Sequence, residues 1–109
     1  MRVLLIALAA LVATPSIAAD LASGKKKARA CRTCHGLDGI AKIPIAPHLA
    51  GESQVYIETQ LKAFRKGKRE HEMMTVVAKG SSDEDISDLA AWYAAIEITA
   101  TMPDLEKKD

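Results

Sequence analysis

Cys31 and Cys34 are the only cysteines in a chain of 109 residues, and His35 follows the second directly. Two thiols separated by two residues serve a redox dithiol, half of a zinc site or a pair of covalent anchors for haem. A plain structural disulfide is a fourth use, but the loop it would close is too short and strained to brace a domain. The neighbouring residues and the elements that carry them decide between these.

A thioredoxin-like dithiol sits where a strand enters a helix, and no strand pattern precedes Cys31. Structural zinc needs four ligands. Cys31, Cys34, His48 and His71 have suitable atoms, but their spacing matches no ribbon or finger. Haem attachment uses every residue of C-x-x-C-H. Residues three apart share a helix face, so both sulfurs reach the vinyl groups of one macrocycle while the adjacent imidazole turns toward the iron. An iron that passes electrons without binding substrate also needs a sixth ligand. Met73, Met74 and Met102 are the candidates in the second half of the chain, and methionine paired with histidine raises a haem potential.

The elements that must position these groups read as all-α. A weakly periodic helix covers 21–34. Residues 36–51, "GLDGIAKIPIAPHLAG", carry glycines and prolines enough to be a loop, unusually long for a compact domain unless it has a task such as wrapping a cofactor. The second helix spans 53–67, with Ser53 as N-cap, Ile57, Leu61 and Phe64 at i, i+4 and i+7, and Gly67 at its stop. "MTVVAKG" forms a short helical turn. The last helix covers 81–98, opened by Ser82 and Asp85 as a capping-box-like pair, with acidic residues in its first turn. Ile86, Leu89, Ala90, Tyr93 and Ile96 mark its apolar face. The tail after about 100 is expected to fray.

Residues 1–19, "MRVLLIALAALVATPSIAA", have the charged start, apolar run and small-residue end of a secretory signal peptide. Cleavage is expected after Ala19, with Ala18 the alternative, leaving a single domain over 20–109. The apolar run from Val3 to Val12 is shorter than the roughly 20 residues of a membrane span. Export agrees with covalent haem attachment, which takes place outside the bacterial cytoplasm. Charge is nearly balanced, 15 Lys and Arg against 14 Asp and Glu, which argues against nucleic acid as a partner. Past the leader, Tyr56, Phe64, Trp92 and Tyr93 are the only aromatics, and alanine supplies much of the remaining apolar content. A domain this small needs a staple, metal or cofactor, and haem would fill the shortage.

"CRTCHGLDG", "IPIAPHLAGES", "YIETQLKAFRKGKR" and "MMTVVAKGSSDEDISDLAAWYAAI" together make the chain resemble a class I cytochrome c, of the short bacterial monohaem type and similar to one half of the periplasmic dihaem type. The resemblance implies three main helices and a short helical turn around one covalent haem c. Cys31 and Cys34 would form the thioethers and His35 the proximal iron ligand. Met74, eight residues before the serine of "SDED", would be the distal ligand, with Met73 the fallback. Pro44 would offer its carbonyl to the proximal histidine, in preference to Pro47. Gly24 would lie where the first and last helices cross, against Trp92 or Tyr93. Arg65 or Arg69 would pair with a haem propionate, and His48 and His71 would be ordinary surface residues. "KKKAR" and "KAFRKGKR", set against the acidic last helix, could orient the molecule on a redox partner.

The function so implied is a periplasmic carrier of single electrons between protein partners (a dehydrogenase, an oxidase or another cytochrome), not an enzyme. A cytochrome subunit of a periplasmic dehydrogenase is the near alternative. A haem-based ligand-binding or peroxidase-like protein with a labile distal methionine is the more distant one.

Overall fold

Each longer helix begins on a side-chain cap. The computed structural model describes residues 18–106, so all of the expected signal peptide except Ala18 and Ala19 lies outside the described residues, as does the end of the tail. Asp20 accepts from the N–H groups of Ala22 and Ser23 and opens α1 (Leu21–Lys27). A 3-10 turn (Ala28–Ala30) and a one-turn helix α2 (Arg32–His35) come next. Ser53 caps α3 (Gln54–Arg65) through the Tyr56 N–H. After the short α4 (Met74–Lys79), Ser82 and Asp85 form a complete capping box at the start of α5 (Asp83–Ala94). Among the described residues there is no strand, and no helix long and apolar enough to cross a membrane.

The helix expected over 21–34 divides in two. The Cys31 N–H bonds to the Ala28 carbonyl at 2.9 Å, an i to i+3 bond. Three residues at 3.0 rather than 3.6 per turn rotate the next helical segment by about 60°. The turn seats Ala28 in the core, fully buried, and re-aims the cysteine-bearing segment. The last helix also stops earlier than expected, at Ala94. The Tyr93 carbonyl there accepts from Gly51 at 2.9 Å and from Ile96 at 3.3 Å, so a loop N–H takes a carbonyl that the helix end leaves free.

The core joins Ala28 from the 3-10 turn, Ile57 and Leu61 from α3, and Ile86, Leu89, Ala90 and Tyr93 from α5. Helix α5 is its centre, with α1 packed on one side, α3 on another, and α4 against α3. The close crossing of α1 and α5 depends on Gly24. A Cβ there would collide with the Asp88 carbonyl oxygen and come within 2.9 Å of the Trp92 Cβ. Trp92 is thus the aromatic residue that Gly24 meets, and the crossing is the one expected from the resemblance.

Candidate functional site

His35 is 8% exposed, and its orientation is fixed from behind. Its Nδ1 lies 2.9 Å from the Pro47 carbonyl oxygen. A carbonyl only accepts, so Nδ1 carries the proton and the Nε2 lone pair is left for a metal. The resemblance pointed to Pro44, and this is corrected. Pro44 lies in the turn 43–46 closed by the Ala46 N–H on the Ile43 carbonyl. The chain returns from that turn to bring Pro47, three residues later, to the imidazole.

The loop that carries Pro47 is tied down by its backbone. Lys42 N–H bonds to the Cys34 carbonyl at 2.8 Å, and the N–H groups of Leu49 and Ala50 share the Gly39 carbonyl at 2.8 and 3.0 Å. Gly39 has φ 74°, and a Cβ on it would meet the Ala50 backbone at 2.5 Å, so glycine is required there. From α5, Trp92 Nε1 donates to the Leu37 carbonyl at 3.0 Å and the Tyr93 hydroxyl to the Gly36 carbonyl at 3.1 Å. Burial pushes the Tyr93 hydroxyl up from its ordinary pKa, so it stays protonated and able to donate.

Cys31, Cys34 and His35 open onto a cavity of about 390 Å³. The same cavity is lined by Met73 and Met74, and by apolar side chains including Ile43, Leu49, Leu61 and Leu89. The two cysteines are not joined to each other, and burial pushes the Cys31 thiol above its ordinary pKa. Of the two methionines, Met74 is half-buried against the core cluster, whereas Met73 is 53% exposed. Among the described residues no three His, Cys, Asp or Glu side chains gather as a metal site, so the zinc set of Cys31, Cys34, His48 and His71 is not assembled.

His48 and His71, expected as ordinary surface residues, are exposed but also line the cavity and hold its wall, and of Arg65 and Arg69 only Arg69 reaches it. His71 Nδ1 accepts from the N–H groups of Met73 and Met74 at 3.2 and 3.3 Å. Its own N–H donates to Thr75 Oγ1 at 2.9 Å, and its carbonyl accepts from Thr75 N–H at 3.0 Å. His71 therefore caps the turn that carries the methionines. The lack of Ser, Thr, Asp or Asn just ahead of "MMTVV" was the available signal. His48 Nδ1 likewise accepts from the Ala41 N–H at 2.8 Å and braces the loop. Arg65 is committed to the Ser81 carbonyl and Asp83. Arg69 lines the cavity, held by Gln60 at 2.7 Å and lying over the Phe64 ring.

A helical shell around an apolar cavity, with two unlinked cysteines and an oriented histidine in its wall, is the design of an all-α protein that wraps a covalent haem. The chain belongs to the cytochrome c family, whose model matches residues 21–95. It is 46% identical over 83 residues to cytochrome c-554(548) of Halomonas halodenitrificans, covering 73% of this chain and all of that protein. Cytochrome c4 of Pseudomonas aeruginosa is 38% identical over 87 residues, which cover 80% of this chain and 43% of the relative. Among solved structures, reduced recombinant cytochrome c4 from Pseudomonas stutzeri superposes with a TM-score of 0.68 at 31% identity, over 73% of this chain and 47% of that one. The chain thus spans the Halomonas protein completely and about half the length of the c4 relatives. It is a class I cytochrome c similar to one half of a dihaem cytochrome, its cofactor is one covalently attached haem c, and its function is electron transfer.

Proposed function

We propose that the chain is a periplasmic monohaem carrier whose iron is held by His35 and Met74, and that it moves single electrons between redox proteins. The observation that carries this reading is the pairing of a buried, Pro47-oriented His35 with a half-buried Met74 in the wall of one apolar cavity. Haem, when bound, supplies a one-electron couple at iron. Cys31 and Cys34 fix it covalently, His35 presents Nε2 with its tautomer set, and Met74 offers a soft sulfur suited to both oxidation states. The apolar lining keeps water away and lowers the local dielectric. Arg69 is the cation beside the cavity for a propionate, because Arg65 already serves the start of α5.

The ferric protein is expected to have the far-red absorption band of a methionine-to-iron bond, and the ferrous protein to bind little carbon monoxide. Met74→Ala removes the band and opens the iron to carbon monoxide, while Met73→Ala leaves both properties as in the parent. A ligand-binding or peroxidase-like protein would behave the other way, with the parent binding carbon monoxide readily and Met74→Ala changing little. Covalent haem protein in the periplasmic fraction tests the proposed location.

A further inference from the structure

Asp88 is a buried carboxylate in the middle of α5, 2% exposed, and the haem reading gives it no task. Two donors, one at the N-cap of the first helix and one in its last turn, reach it. Lys27 Nζ lies 2.7 Å from Oδ2, and the backbone nitrogen of Asp20 lies 2.8 Å from Oδ1. Asp20, Gly24 and Lys27 are at i, i+4 and i+7, so one stripe of α1 brings both donors to Asp88 across the glycine contact. Lys27 is shared, since it also pairs with Asp85 at 3.0 Å. Two carboxylates with one ammonium leave an excess negative charge, and a buried charge is costly unless it is paired.

The expected leader ends immediately before the second donor. We propose that removal of residues 1–19 turns the Asp20 nitrogen into an α-ammonium that pairs with Asp88, so that processing at the Ala19–Asp20 bond completes the charge cluster and locks α1 onto α5. The peptide bond is hydrolysed by water, leaving a carboxylate on Ala19 and the ammonium on Asp20. The donor atom stays where it is, while a hydrogen bond from a neutral amide to the carboxylate becomes an ammonium–carboxylate ion pair. The positive end of α1 opposes a cation at this place. Asp88 and the Asp20 side chain offset that opposition. The cluster also distinguishes the two candidate cleavage points, because cleavage after Ala18 puts the ammonium one residue too early and leaves Asp20 with an amide.

This rests on the export reading for its first step only. The full chain with its leader is expressed in a bacterium that attaches haem in the periplasm, and the haem-loaded product is identified by intact mass and N-terminal sequencing. Asp20 is the expected first residue. A second product that retains one alanine ahead of Asp20 is then compared in thermal unfolding. Ala19 already precedes Asp20 in the structure, so the comparison tests where the terminal ammonium lies. The extra alanine is expected to lower the midpoint by about 4 °C or more, and to have no further effect in an Asp88→Asn background. An exported haem protein that begins elsewhere, or equal midpoints for the two starts, overturns the proposal while the carrier reading stands. Lack of haem protein in the periplasm overturns both. The comparison of starts in the parent decides the matter even if Asp88→Asn does not fold.

Discussion

His71 serves as a cap for α4 from two residues ahead of its N-cap, Met73, without being one of the usual capping residues. Its imidazole accepts the two N–H groups that α4 would otherwise leave open, those of Met73 and Met74. His71→Ala removes that acceptor and is expected to cost about 1 kcal/mol in chemical unfolding. His71→Asn restores an acceptor and recovers most of the loss. If the cap also positions the sulfur, the methionine-to-iron band of His71→Ala disappears at a lower temperature than in the parent, whereas Asn keeps it. Tyr93 is a second single-residue case. Tyr93→Phe preserves the ring in the core and removes one of two donors to the Gly36 carbonyl, which keeps the Gly39 N–H at 3.2 Å, at an expected cost of about 0.5–1.5 kcal/mol, read as a lower denaturant midpoint. The motif residues were legible because chemistry fixes their spacing. Pro47 was not, because two prolines three residues apart look alike until the turn at 43–46 shows which one returns to His35.

At the scale of elements, the helices with strong caps and periodic apolar faces, α3 and α5, were readable, and their boundaries moved by only a few residues. The first helix reads as continuous in the sequence, because the break at Ala28 is a demand of tertiary packing that alanine does not advertise. The α1–α5 crossing makes two predictions. Gly24→Ala drives a methyl into the Asp88 carbonyl, and overpacking of this kind costs about 1–3 kcal/mol, measurable as a lower unfolding midpoint and a loosened α1 in hydrogen exchange. The second prediction concerns pH. The Asp20 N–H, and then Lys27, hold the Asp88 carboxyl below its ordinary value of 3.8. Its folded pKa is therefore depressed, so its contribution is fully present above the unfolded value. That contribution is lost as pH falls below about 4 and through the folded value. Asp88→Asn is expected to flatten this acid limb of the stability curve.

Across the whole molecule, the protein's own core is small: alanines and a few larger side chains gathered on α5, beside a cavity of about 390 Å³ with a largely apolar wall. Leu61, Phe64 and Leu89 belong both to the buried set and to that wall. Ile45, Tyr56, Met73 and Val77 line the same wall but are exposed; their burial falls to the cofactor, so haem is a structural element as well as the redox centre. The shortage of apolar mass in the sequence pointed to this, while the shape of the cavity needed the loop bonds that no local pattern reveals. A Cys31→Ala, Cys34→Ala chain, exported without covalent haem, is therefore expected to lose more than spectroscopic function. Without the macrocycle, those side chains face water over a surface that a domain of this size cannot leave exposed. Its far-ultraviolet circular dichroism should show less helix than the holoprotein, and its thermal transition should be broad or absent. Adding free haem should restore part of the helix through His35 and Met74, and less of it when Met74 is also alanine. A doubly substituted chain that melts as sharply as the holoprotein would mean that the helices need no haem to stand.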